Sequence, residues 1–268
     1  PAWPAGLVKI EINSLASTDL LLTASSRNTV VSRTFDTFCR ILLLEKIIKQ
    51  GKCQGSIRVD NKFVADAFNK VLVRNKCVNT KITYQRSSNI FVLVSLNLLK
   101  TIYIALNSWF WPRLFHNKVK PKGKVLFVDT FMFKNSFDSS GRYHDRYYTN
   151  HEVYLTSQQQ NNLYLAPTLF GLKHPRDYIS LLKQIKLSDR KFLVKEAWLN
   201  AFDYLYSIFY SIVIPLKIKS YPTFHGVDVS NLVRREVFCD IASPSLFRAL
   251  CQYRFIRRLS KKNINISG

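Results

Sequence analysis

A chain of 268 residues that is 47% hydrophobic and 13% aromatic holds enough apolar material for a folded core, which excludes a disordered polypeptide. Its 40 Lys and Arg against 17 Asp and Glu give a formal net charge of +23. Such an excess pulls toward something anionic, whether nucleic acid, an acidic lipid surface or phosphorylated substrates, and charge alone does not choose among them.

The opening segment PAWPAGLVKIEIN lacks a basic region followed by an apolar run, so no secretory signal is expected there, and the missing initiator Met points to a processed or truncated end. Cys39, Cys53, Cys77, Cys239 and Cys251 form no CxxC pair. An odd set of this kind fits free thiols in a reducing compartment, with the cytoplasm as the expected location. Asp36 to Lys49 carries Phe38, Ile41, Leu42, Leu44 and Ile48 at helical spacing, with Gly51 to end the helix. Ser56 to Asp60 reads as a short strand ending on an acid. Asn61 can cap the next helix, on which Phe63, Val64, Ala67, Val71 and Leu72 share a face. Lys81-Ile-Thr-Tyr84 is β-branched and aromatic, hence a second strand. Strand, helix and strand in that order predict a parallel α/β sheet.

A long helix is expected over residues 88–110. Asn97, Lys100, Asn107 and Arg113 interrupt the apolar run Ile90 to Leu114, which argues against a membrane span and for a buried or half-buried helix. A sharper alternative is a surface-docking segment, since Trp109, Phe110, Trp111 and Phe115 lie beside Arg113, Lys118, Lys120, Lys122 and Lys124. Lys124 to Asp129 reads as a buried strand ending on an acid. This places Asp129 and the loop Thr130 to Arg146 beyond a strand's carboxyl end, where open α/β sheets bind ligands. Asn162 to Leu165 reads as a strand leading into a loop Ala166 to Gly171. Helices are expected over Pro175 to Leu187, Leu193 to Leu216, Ser230 to Cys239 and Ser243 to Leu259, and residues 261–268 as the start of a connection.

No GxGxxG, P-loop, HExxH or GxSxG occurs, and the five His residues show no metal-ligand spacing, so no metal site is expected. The polar stretch Phe137 to Glu152 mixes aromatic, imidazole, carboxylate and guanidinium groups. His144, Asp145 and Arg146 in such a loop suit sugar recognition, or else a solvated loop with local capping. In Thr223 to Glu236, Gly226 permits a sharp turn before Asp228, and Ser230 can cap the following helix. Asp228 is a simple capping residue or a presented carboxylate, with Arg234 and Arg235 one turn on to meet a phosphate or sugar acid. Lys195-Glu196 sets an acid at the start of an aromatic helix or is an ordinary surface pair.

Asp129-Thr-Phe-Met-Phe, His144-Asp-Arg-Tyr-Tyr, Ala166-Pro-Thr-Leu-Phe-Gly171, Phe192-Leu-Val-Lys-Glu196, Asp203-Tyr-Leu, Phe224-His-Gly-Val-Asp228 and Tyr253-Arg-Phe-Ile-Arg-Arg-Leu, in this order, resemble bacterial surface-carbohydrate biosynthesis glycosyltransferases. The resemblance, mainly over residues 120–260, is nearest to retaining β-Kdo transferases of lipopolysaccharide O-antigen and capsule assembly. It implies a Rossmann-like parallel sheet flanked by helices, over residues 1–260, as the N-terminal, acceptor-side domain of a GT-B enzyme. The nucleotide-sugar half would follow residues 261–268 or come from a partner. It further implies a nucleotide-sugar donor such as CMP-Kdo, no other cofactor, and a glycan or lipid-linked acceptor at the inner face of the cytoplasmic membrane. Asp228 matches the nucleophile, with Glu152, Glu196 or Asp145 to assist proton transfer, while Asp129, His144, Arg146, His225, Arg234 and Arg235 would bind sugar or carboxylate. A basic nucleic-acid binder and a membrane scaffold are the rival readings. The absence of a recognised nucleic-acid motif weighs against the first.

Overall fold

The computed structural model of this chain describes residues 34–50, 55–59, 61–77, 79–84, 89–115, 121, 124–145, 151–169, 172, 174–218, 223–224, 226–262 and 264–267. Gly51, Asp60, Arg146 and His225, all named above, lie outside them, as do the loop residues Phe170 and Gly171. The fold is mixed α/β with short parallel sheets. The chain divides into two compact units, one from residues 1–101 and 209–247 and the other from 102–208 and 248–268.

In the first unit, helix α1 (Thr34–Lys49) is followed by strand β1 (Gly55–Val59), helix α2 (Lys62–Arg74) and strand β2 (Thr80–Tyr84). β1 and β2 pair in parallel, in register from Gly55 with Thr80 to Val59 with Tyr84. A parallel pair cannot be closed by a tight turn, and α2 supplies the crossover. Asn61 starts that helix as the sequence predicts: its Oδ1 accepts the N–H groups of Phe63 and Val64. Ile41, Leu44, Ile48, Val64, Phe68, Val71 and Leu72 form the core here, joined by Val227, Val229 and Leu232 from a later stretch. That stretch is a two-strand hairpin, β5 (Thr223–Phe224) with β6 (Val227–Asp228), leading into helix α8 (Ser230–Cys239). Gly226 lies at φ 72 in the turn, and a Cβ there would stand 3.1 Å from the Arg74 guanidinium, so the position favours glycine twice over.

In the second unit, strand β3 (Lys124–Met132) is central. It pairs in parallel with β4 (Leu163–Leu169) on one side and β7 (Asn265–Ser267) on the other. Three sequence expectations change here. β3 continues past Asp129, because Ala166 to Leu169, expected as a loop, is extended and pairs up to Met132 with Leu169. Asp129 is therefore an exposed residue within the strand and not its last. Residues 265–267, expected to begin a connection, are a strand of the sheet. The single helix expected over Leu193 to Leu216 is broken. Phe192 bridges to Leu165 in extended conformation, α6 covers Lys195–Trp198, and α7 covers Ala201–Lys217. The break is a reciprocal cap: the Asp203 N–H donates to Asn200 Oδ1 at 3.0 Å, and the Asn200 N–H donates to Asp203 Oδ2 at 2.9 Å.

Asp203 is fully buried and carries a second duty. Its carboxylate accepts from Arg254, 2.7 Å from Nη2, and from Arg258, both on helix α9 (Pro244–Lys261). Burial pushes its pKa up, but the Asn200 N–H and the two arginines outweigh burial and hold the carboxyl below its ordinary value. Helix α5 (Pro175–Leu187) keeps the predicted bounds and packs Leu181, Leu182 and Ile185 against Leu163, Leu165 and Phe192.

Helix α3 (Ile90–Phe115) and helix α7 each contain a proline, Pro112 and Pro215. Proline has no N–H, so the carbonyl four residues earlier loses its helical donor. In α3 that carbonyl is Ser108, and the Tyr204 hydroxyl donates to it at 3.0 Å. In α7 it is Ser211, which takes the N–H of Ala242 at 3.0 Å. Helix α3 is half-buried, within the range expected for it, with Thr101, Ala105 and Pro112 covered on one face. Phe91, Val92, Leu96, Leu99, Tyr103, Leu106, Phe110 and Leu114 are all exposed.

Tyr204→Phe should cost about 1–2 kcal/mol in urea unfolding, because the Ser108 carbonyl then loses the hydroxyl that donates to it. Pro112→Ala restores an N–H at that carbonyl. It should stabilise the Tyr204→Phe chain by about 1 kcal/mol more than it stabilises the parent. Equal gains in the two backgrounds would show that the hydroxyl is not what satisfies Ser108.

Candidate functional site

The carboxyl end of the β3–β4 pair carries polar side chains on both faces. On one face, Thr168 Oγ1 of β4 lies 3.4 Å from Asp129 Oδ1 of β3, and Lys195 Nζ donates to the same hydroxyl at 3.0 Å. Carboxylate, hydroxyl and ammonium thus form a row in which Asp129 is exposed and Thr168 and Lys195 are half-buried, with Lys195 at the first turn of α6. Alternation along β3 sends Thr130 to the opposite face. There it donates to Asp145 Oδ2 at 2.7 Å, and the Tyr143 hydroxyl donates to the same oxygen at 3.0 Å. Asp145 is buried and holds the loop after β3 in place, which is a positioning task. Burial, aided by the Asp145 charge, raises the Tyr143 pKa well above its usual range, so the phenol stays a donor.

The loop between β3 and Asp145 is ordered by Asp138, a residue with no obvious signal in the sequence. Its Oδ1 accepts from the Ser140 hydroxyl at 2.6 Å, from the Ser140 N–H and from the Arg142 N–H. Its Oδ2 lies 3.1 Å from His144 Nε2 and accepts from Arg142 Nε. The Ser140 hydroxyl, then Arg142 and His144, hold this carboxyl well below the usual range. His144 is thus exposed but engaged, and the loop follows the local-capping reading through Asp138. Lys134 extends the order by pairing with Asp177 of α5 at 2.8 Å. Glu152 stands in a short 3₁₀ turn, His151–Tyr154.

Glu196 is not the surface half of a Lys-Glu pair. Its side chain is buried and its Oε2 has no hydrogen-bond partner. Burial raises its pKa, against the pull of Lys195 and Arg248. Its charge in turn helps raise Tyr178 and Tyr204, both shifted first by burial. Buried acid, two buried phenols and Cys251, whose thiol burial pushes up to about 12, make a desolvated polar cluster. Perturbed groups of this kind gather at functional sites, and a protonated carboxyl beside phenols can donate or relay a proton.

The remaining predicted residues belong to the first unit. Asp228 ends β6 and is half exposed. Its Oδ2 pairs with Lys70 Nζ at 2.5 Å and its Oδ1 accepts the Ser230 N–H at 2.9 Å. The Lys70 bond first, then Ser230, hold the carboxyl well below its ordinary value, so it is ionised. Asp228, and not Ser230 as expected, anchors the start of α8. Lys70 sits 158 positions away in sequence and escapes any local reading. Arg234 is exposed with its guanidinium 5.9 Å from the Phe238 ring, and Arg235 lies 5.0 Å from the Phe63 ring. The two arginines are spoken for by aromatic faces more than by each other. Among the described residues no group of three or more His, Cys, Asp or Glu is arranged to hold a metal ion.

No protein-family model, curated protein or solved structure matches the chain. The family resemblance therefore stands on the motifs of this sequence.

Glu196→Gln isolates the buried acid. A carboxyl with a raised folded pKa gives stability that is whole at acid pH and falls as pH rises from the unfolded value toward the folded one. The substitution should therefore raise Tm near neutral pH by roughly 2–4 °C, the shift that about 1 kcal/mol produces in a chain of this size. Near pH 4 the two proteins should melt alike. A parent more stable than the variant at neutral pH would show that the acid is ionised and paired.

Proposed function

We propose that this chain is the acceptor-side part of a retaining glycosyltransferase of bacterial surface polysaccharides, with Rossmann-like GT-B architecture. It moves a sugar such as Kdo from a nucleotide donor to a glycan or lipid-linked acceptor, working with a nucleotide-sugar-binding partner domain. The observation that carries the reading is the row Asp129, Thr168 and Lys195 on one face of the carboxyl-terminal half of two parallel strands, next to the end where open sheets take ligands. A carboxylate and an ammonium flanking a hydroxyl can hold a sugar by its hydroxyl groups and by an acid or phosphate at once. The motifs of the sequence resemblance support it further.

In the double displacement, a carboxylate attacks the anomeric carbon and the donor's phosphate leaves with the bonding electrons. An acceptor hydroxyl then gives its proton to a base and displaces the carboxylate. Asp228 suits the first role in being ionised and accessible, and Lys70 must loosen its grip for the carboxylate to react. Glu196, Glu152 and Asp145 stay as the proposed proton carriers, one of which must be ionised when the acceptor hydroxyl gives up its proton. The basic surface draws the protein toward anionic lipid, about 1 kcal/mol for each Lys or Arg near the surface.

The test is incubation with CMP-Kdo and a panel of nucleotide sugars, with and without acceptor, followed by intact-mass measurement. A sugar-sized adduct on the parent that is missing from Asp228→Ala is expected. That variant loses the exposed Lys70 pair and the acceptor of the Ser230 N–H at the start of α8, together about 1–2 kcal/mol of stability, so an unchanged far-ultraviolet dichroism spectrum must accompany its silence. Asp129→Ala should weaken acceptor binding and spare donor binding. Turnover retained by Asp228→Ala removes that residue from the mechanism. No adduct and no transfer from any donor, with a donor-binding domain supplied, removes the reading.

A further inference from the structure

Helix α3 buries the wrong residues for a helix bathed in water. Its buried positions are Thr101, Ala105 and Pro112, and Asn97 and Ser108 share that stripe. Asn97 donates to the Cys239 carbonyl at 3.0 Å and Thr101 to the Ala242 carbonyl at 2.8 Å, while Ser108 accepts from Tyr204. The opposite face carries Val92, Leu96, Leu99, Tyr103, Leu106, Phe110 and Leu114, with Leu99 65% and Leu106 60% exposed. Helix α7 repeats the inversion. Ser207 and Ser211 are fully buried between Tyr204 and Pro215, whereas Phe202 is 75% and Phe209 58% exposed, with Leu205 and Leu216 beside them. An amphipathic helix on a soluble protein turns its apolar stripe inward and its polar side to solvent. Small polar residues packed inward under large apolar ones is the arrangement of helices that face lipid.

We infer that the outward faces of α3 and α7 embed in the acyl region of an anionic bilayer. The exposed apolar faces call for lipid, and the net charge of +23 makes an anionic lipid surface the complementary one. The end of α3 has the make-up of a membrane interface: Trp109, Phe110 and Trp111 lie beside Arg113, whose guanidinium stands 5.0 Å from the Trp109 ring. At 26 residues the helix is about 39 Å long, enough to cross a bilayer. It lies along the interface nonetheless. One side is taken up by hydrogen bonds from Asn97 to Ser108, and exposed Lys100 sits midway, where a crossing helix would carry its charge to the bilayer centre. On a helix lying flat, Lys100 reaches the headgroups by its own stem. The inference stands on the two helices and holds whatever chemistry the sheet carries.

Binding of the whole chain to phosphatidylcholine vesicles containing phosphatidylglycerol tests it. Association should survive about 1 M salt, where the screening length falls to roughly 3 Å and a merely electrostatic attachment is lost. Tryptophan emission should be quenched by lipids brominated in the acyl chains. Leu99→Glu and Leu106→Glu should each lower partitioning about tenfold, with unchanged far-ultraviolet dichroism. Phe202→Glu and Phe209→Glu on α7 should act alike, which covers a folding failure in α3, and Val153→Glu, exposed and on neither helix, should leave partitioning unchanged. Release by salt, or partitioning of the Glu variants equal to the parent, overturns the inference. So does a lipid-free dimer that the same substitutions dissociate, because the faces would then belong to a second copy.

Discussion

Two backbone carbonyls without helical donors do much to fix how this chain packs. Proline at 112 and at 215 strips the amide from the fourth residue after Ser108 and after Ser211. A buried carbonyl left so would cost as much as a lost hydrogen bond, and each finds a donor outside its own helix: the Tyr204 hydroxyl for one, the Ala242 amide for the other. A proline that would ordinarily weaken a helix here creates a directional attachment point. Ala242 takes a left-handed φ of 55 to present its N–H, and its carbonyl accepts from Thr101 as well. Both ends of one peptide unit's residue are thereby used.

The same economy of polar groups explains the inverted helices. Serine, threonine and asparagine face inward because inward is where donors and acceptors wait, and the bulky apolar residues take the face that remains. In the second unit the carboxylate of Asp203 adds a charged counterpart, closing the cap of α7 and pairing with two arginines of α9. A buried carboxylate with this many donors costs less than its burial implies. Glu196, close by in sequence, has the opposite fate, with one oxygen unpartnered and its proton held more tightly.

Much of the local structure was legible in the sequence. Asn61 announced its helix, α5 and α8 begin and end where periodicity places them, and β1 and β2 follow β-branched and aromatic runs. What escaped depends on partners distant in sequence. Pro167 reads as a loop residue, yet it sits in β4 opposite Thr130 because the neighbouring positions pair with β3. The Asn200 and Asp203 reciprocal cap is a local signal, hidden by an apolar pattern that runs through it. Lys195 masks Glu196, since a Lys-Glu dipeptide looks solvated until the fold buries one of the two. That α3 is only half covered fits the expectation, but which face is covered was not legible: hydropathy reports how apolar a helix is, and not which side its protein covers.

The pairing of β7 with β3 has a consequence in time. Lys124 meets Asn265 across about 140 residues of sequence, so the sheet's second side forms late. At a synthesis rate of about 5–20 residues per second, roughly 7–28 s separate the two strands' appearance on the ribosome. Once β4 has paired, β3 keeps an open edge until β7 appears, the kind of surface on which nascent chains stick to one another. A strand of three residues thus covers the start of that edge, from Lys124 to Leu126, and crowding on polysomes would test it more severely than dilute refolding.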